Sequence, residues 1–536
     1  MSRTTIDDVL TLTTPQDMMQ AIDDNFEELY NNVIDFNPAS YGAVGDGTTD
    51  DTTAITNCIT AAETAGGRVV LDKIYKLTDK VNIPPGISVI GASRDTAGFV
   101  VDEDDFNLSA DGVLNLQVST KYGPRIEDIQ ISVDRDTTET VRANLTDVPP
   151  AIYAVACPRF FLKNIRINRA SVGIDATGNS GGAHITNCEI GAYDYGLKID
   201  GALDFMYIDN IEFWPFGLAM TDSVDIYKDG TTIGLDCRDC DGIAIGKLTT
   251  FWNQTNIHGG FGTADSILCD GKYSRVLISG GTNLNIGSLY STSDADDDYV
   301  AWVTGVNTNV CIGSLWITNN VNIDTTYPGQ LIIDSATCEL VISNIHATIV
   351  GVNTRLLSAT AGTVCMSNVY LTAPVDSTLQ SSMIYSSGAL LNITNLKAVD
   401  MGTGSGTLIE CTTDIEHQLS NIIAKGWTID LAANHLKPQL SNILSGTATD
   451  GNRVIGNRKL YEFNITLDES GNGSVSTNFP VHDQVRSMTA VADTGTYWFA
   501  PPPQFITIGS GVIVFNTNDT NYAGYVLTIR VEMELT

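Results

Sequence analysis

The chain is 536 residues long and carries 29 Lys and Arg against 63 Asp and Glu, a formal net charge of −34. That charge repels phosphate backbones and argues against a nucleic-acid partner. Only 17% of residues are charged and 43% are hydrophobic, too apolar a balance for a disordered chain, while no apolar run approaches the roughly 18 residues of a membrane span.

Residues 1–10 lack the apolar core of a secretory signal, which predicts assembly in a cytosol without general export. Thr14-Pro15-Gln16-Asp17 reads as a helix N-cap followed by proline at the first helical position. Behind it Met19, Ile22, Phe26, Leu29 and Val33 alternate three and four apart, a heptad seam. It is either a helix packed on the body or a short self-associating neck, and residues 1–35 are assigned to that neck or attachment segment.

From residue 36 the pattern is strand and turn. Eleven segments of similar form run from Leu162-Lys163-Asn164-Ile165 to Leu440-Ser441-Asn442-Ile443, their third positions 23, 23, 37, 41, 26, 30, 24, 27, 26 and 21 residues apart. A period in the twenties means a solenoid. Its units show short alternating runs such as Ile211-Glu212-Phe213, with none of the paired amphipathic helices of a helical repeat. The expected fold is all-β, a right-handed single-stranded parallel β-helix over residues 36–454, with the recurrent Asn bonding along the stack. After about residue 455 the repeat stops. Strands at 461–467, 474–479, 504–515 and 527–535 predict a C-terminal antiparallel β-sandwich over 455–536 that caps the helix or joins subunits.

The ten cysteines read as buried thiols, Cys188 at an apolar repeat position and Cys157, Cys311 and Cys365 in apolar strands. Cys237-x-x-Cys240 is the one pair with metal or redox spacing, and it lacks a second pair or a local His. No cofactor and no metal are expected. The run Asp294-x-Asp296-Asp297-Asp298 lacks the Gly and distal Glu of an EF-hand loop and reads as a solvated turn.

Gly42-Ala43-Val44-Gly45-Asp46-Gly47-Thr48-Thr49-Asp50-Asp51-Thr52-Thr53-Ala54-Ile55 closely resembles the opening motif of the pectate-lyase-like superfamily, as found in phage tailspikes. Asn25-Phe26-Glu27-Glu28-Leu29 is similar to a helix common near the start of phage tail-fibre and tailspike proteins. The resemblance implies a homotrimer in the virion tail, joined to other tail or baseplate proteins through its N-terminus. It also implies binding and cleavage of a bacterial O-antigen or capsular polysaccharide. Within the motif the glycines serve tight turns and Asp51-Thr52 start a helix, so its aspartates are read as structural.

Counting two residues past each third position gives an outward row of Arg166, Glu189, Glu212, Thr249, Tyr290, Trp316, His346 and Tyr370. Aromatics and hydroxyl-bonding groups on one face suit sugar rings. The two longest intervals predict loops on the binding face, with Trp214, Asp222, Asp225, Asp236, Asp239 and Trp252 on them. Glycoside hydrolysis needs two carboxyl groups, roughly 5 Å apart for retention and 6.5–9.5 Å for inversion. Glu212, Asp236 and Asp239 are the favoured catalytic set, similar in type and spacing to the carboxylate trio of O-antigen-cleaving tailspikes, with Glu189 as substitute. Trp214, Arg166, Trp252, Tyr290, Trp316, His346 and Tyr370 would hold substrate. A lyase using Arg166 and Arg169, or His346 and Tyr370, and a non-catalytic receptor-binding fibre are the alternatives.

Overall fold

The computed structural model describes residues 34–425 except 119–121, 136–138, 140, 215–230, 272, 294–298, 320–328, 350–354, 374–381, 401–405, 414 and 416. Beyond these it gives the backbone of 427–431, 439–446, 452–455, 458–466, 472–476, 484–492, 504–509, 512–516 and 526–534. The expected neck helix, Asp222, Asp225 and the acidic run 294–298 lie outside the described residues. Two compact units form, one reaching Asn256 and including Gly260–Gly262, the other holding Ile257–Gly259 and everything from Thr263.

In the first unit the GDG-containing stretch becomes backbone scaffolding. Gly45 and Gly47 take φ of 65° and 73°, where a side chain is strained. The Asp46 carboxylate accepts from the N–H groups of Thr48 and Thr49 at 2.8 and 2.7 Å. Asp51, expected to start the helix, stands at its N-cap, but its side chain instead accepts from the N–H groups of Val44 and Gly45 at 2.7 and 3.0 Å. Asp50 takes the N–H of Thr52 at 3.0 Å, and the helix runs Thr52–Ala65. All three aspartates are thus occupied by the turn, as the sequence implies.

Parallel strands then stack coil on coil. One buried row of this unit runs Val69, Val89, Ile126, Leu162, Ile185, Ile208 and Ile245, each paired in register with the next. Fully burying each such side chain is worth about 1.5–3 kcal/mol. The second unit has the same arrangement: Ile286, Ile312, Ile342, Met366, Ile393 and Leu419 form its row.

The asparagine of the repeat takes the left-handed conformation at 164, 187, 210, 368, 395 and 421. Side-chain amides bond between coils, from Asn368 to Asn344 at 3.2 Å, Asn395 to Asn368 at 3.0 Å and Asn421 to Asn395 at 3.0 Å. A coil before the first recognised repeat uses Asp128 in the same role, at φ 58°, accepting from Asn164 at 2.6 Å. Where Gly fills the second position the turn differs. A Cβ at Gly287 or Gly313 would meet the carbonyl oxygen of the coil before at 2.6 or 2.7 Å.

Cys157 and Cys188 are buried as expected, whereas Cys311 is exposed and Cys365 half-buried. Both face outward because Val310 and Ile312, and Val364 and Met366, take the inward positions of their strands. Past Gln439–Gly446 the pairing turns antiparallel. Strand Val526–Glu534 lies between Arg458–Thr466 and Gln484–Ala492, and Val512–Asn516 lies between Asn472–Ser476 and Gln504–Gly509. The strand Gln484–Ala492 was not foreseen from sequence. Among the described residues no helix is long and apolar enough to cross a membrane.

Candidate functional site

Each unit has an outward row at the position expected from the repeat, and the two rows differ in composition. In the first unit Arg166 pairs with Glu189, Glu189 with Glu212 and Glu212 with Thr249. Each is half-buried. The apolar neighbours Ile165, Cys188, Ile211 and Leu248 point into the core and hold the row outward.

Glu189 is clamped. One carboxylate oxygen accepts from Arg94 and the other from Arg166 Nε at 2.7 Å. Arg166 in turn reaches Asp95 at 2.6 Å. Two guanidinium groups and two carboxylates thus form one network around Glu189, whose side chain is only 15% exposed. Glu212, one rung along, has no ion pair or hydrogen bond among the described residues.

Asp236 lies on a separate strand, Ile233–Arg238, in register with Lys198. That places it in an outward row of Tyr153, Asp175 and Lys198, apart from the row of Glu212. It is 4% exposed and accepts from Arg238 at 3.1 Å. Asp239 follows on an exposed turn with φ 46°. Trp214, half-buried, stacks on Phe251 with ring centroids 3.9 Å apart. Trp252 sits 4.2 Å from Phe251 with φ 60°, and it packs against Leu145 and Tyr193 rather than standing free.

In the second unit Tyr290, Trp316, His346 and Tyr370 share one row. Tyr290, Trp316 and Tyr370 are exposed, at 37%, 47% and 36%. Trp316 stacks on His346 at 4.6 Å and His346 on Tyr370 at 5.1 Å, with Lys397 Nζ 5.5 Å from the Tyr370 ring centre. Both faces of His346 are therefore covered by its neighbours.

Two features escaped the sequence reading. Arg94 lies 95 residues from Glu189, on a turn that precedes the repeat, so no period could align it. A second outward row in the first unit, Arg125, Phe161, His184 and Tyr207, sits one residue before Ile126, Leu162, Ile185 and Ile208. Counting backward along the same repeat would have found it. His184 stacks on Tyr207 at 4.5 Å. Among the described residues no cluster of three or more His, Cys, Asp or Glu could hold a metal ion.

No family model matches the sequence, and no curated protein matches it. Among solved structures the chain is similar to the tailspike protein gp49 from Pseudomonas phage LKA1, at 12% identity over 94% of this chain and 100% of that one, with TM-score 0.47. It is similar to the pre-mature gene product 12 of bacteriophage phi29, at 13% identity, covering 76% of this chain and 64% of that one, with TM-score 0.41. It is also similar to the A-module of mannuronan C-5 epimerase AlgE4 from Azotobacter vinelandii, at 12% identity, 74% of this chain and 100% of that one, with TM-score 0.41. The chain thus spans less than two thirds of the phi29 protein's length. The parallel β-helix itself is established by the register of this chain's own strands.

Proposed function

We propose that this protein is a phage tailspike that binds a bacterial surface polysaccharide, O-antigen or capsule, and cleaves it by carboxylate-mediated glycoside hydrolysis. The observation that carries the reading is the Glu189–Glu212 pair. Two carboxylates stand in direct register on adjacent rungs, one held by two guanidinium groups and the other with no such partner among the described residues. Adjacent rungs lie about 4.8 Å apart, near the roughly 5 Å of a retaining pair.

In this reading Glu212 delivers a proton to the glycosidic oxygen as the bond breaks. Glu189 is the fixed carboxylate opposite it if configuration is retained. If configuration is inverted, the exposed Asp239 takes the part of the base across a longer gap, and Asp236 orients Arg238 beside it. The Trp214–Phe251 stack supplies an apolar wall next to the acid. Arg94 and Arg166 are both matched by carboxylates, so neither is the uncompensated cation a lyase would hold against a uronate.

A homotrimer attached to the phage tail by its N-terminus belongs to the same proposal. Light scattering should give about three times 57.5 kDa, and a monomer mass would refute the trimer alone. The functional test is digestion of a panel of O-antigen and capsular polysaccharides. New reducing ends without an unsaturated-uronate absorbance are expected. That absorbance would move the assignment to a lyase, and binding without new ends would move it to a receptor-binding fibre.

A further inference from the structure

Of the chain's ten cysteines, two meet. Cys237 lies in the strand Ile233–Arg238, and its sulfur is 3.4 Å from that of Cys240, to which it donates a hydrogen bond. Both residues are buried, 1% and 3% exposed. Arg238 and Asp239 between them, and Asp241 after them, are exposed. The left-handed Asp239 turns the chain so that Cys240 returns beside Cys237. With no metal-binding cluster among the described residues, the chemistry these sulfurs offer is that of a dithiol.

We infer that Cys237 and Cys240 form a modification site: a dithiol in the newly folded chain that closes to a disulfide when it meets a low-molecular-weight disulfide. The step balances. The Cys240 thiolate attacks one sulfur of the small disulfide and expels a small thiolate. Cys237 then gives its proton to that thiolate and attacks the Cys240 sulfur, expelling a second. Two electrons pass from the protein thiols to the small disulfide, which is reduced to two thiols.

The order of attack follows from the contact. The hydrogen bond from Cys237, together with burial, holds the Cys237 thiol well above the ordinary value. The same hydrogen bond pulls Cys240 below that value against its own desolvation, so Cys240 is the first thiolate. The sulfurs need to close from 3.4 Å to about 2.05 Å. The new ring encloses Arg238 and Asp239, and Arg238 holds Asp236 at 3.1 Å. Oxidation therefore fixes the turn that carries these groups, whatever the protein binds.

The full-length protein is incubated with oxidised glutathione, then unfolded, alkylated and digested for peptide mass analysis. The peptide holding Cys237 and Cys240 should lose two hydrogens and take up no alkylating agent, while Cys188 and Cys269 alkylate in full. Cys237→Ser should halt the reaction at a glutathione adduct on Cys240. The incubation is repeated with diamide, a smaller oxidant, so that slow entry to a buried site is not mistaken for inertness. Full alkylation of both cysteines after both oxidants would overturn the inference. So would a stable glutathione adduct on the wild-type protein without ring closure.

Discussion

The outward rows of the two units occupy the same place in the repeat and spend it differently. In the first unit the row is charged, and Arg94, Asp95, Arg166 and Glu189 neutralise one another across coils. In the second it is aromatic, and Trp316, His346 and Tyr370 stack on one another. A ladder brings like positions within about 4.8 Å, so neighbouring side chains satisfy each other before any ligand arrives. What remains for function is the residue the ladder does not satisfy. In the charged row the proposal gives that part to Glu212, which has no ion pair or hydrogen bond among the described residues. In the aromatic row the faces of His346 are covered, and Tyr290, Trp316 and Tyr370 keep exposed surface.

That contrast can be broken most sharply at Glu212. Glu212→Gln should lower reducing-end release by about 10²- to 10⁴-fold, the range expected for loss of a positioned proton donor, while polysaccharide binding survives. Wild-type release from this variant would remove the charged row from the chemistry. Glu189→Gln tests the clamp. It leaves Arg94 and Arg166 facing a neutral amide and should cost on the order of 2–3 kcal/mol in urea unfolding. An unchanged midpoint would mean that the ion pairs contribute nothing.

In the second unit, Asn395 donates to Asn368, accepts from Asn421 and sits at φ 58°. Asn395→Ala should destabilise by about 1–2 kcal/mol, and Asn395→Gly by less because glycine tolerates that conformation. Equal melting temperatures for the two variants would show that backbone strain is irrelevant there. Trp316→Ala should cost about 1 kcal/mol of stacking and leave polysaccharide affinity nearly unchanged if the covered faces are structural. A large loss of affinity would return the aromatic row to the binding surface.

The smallest effect is expected at the opening motif. The N–H groups of Thr49 and then Thr48 hold the Asp46 carboxyl well below its ordinary 3.8. Its contribution is therefore present above about pH 4 and lost as pH falls further. Asp46→Asn should flatten the acid limb of stability against pH, and an unaltered limb would contradict this.

The sequence by itself determined the coil, the register and the outward row. Repeat spacing fixes which residues share a rung, and period-two alternation fixes which of them face out. It also marked the asparagine ladder and the scaffold role of the three motif aspartates. Only the tertiary structure decided which members of the row are free to act. Arg94 reaches Glu189 from a turn outside the repeat. Asp236 stands on another strand from Glu212 and is nearly closed to solvent. The covered faces of His346 follow from side-chain orientation across coils. Such contacts depend on distances between chain segments far apart in sequence, and no one-dimensional pattern encodes them.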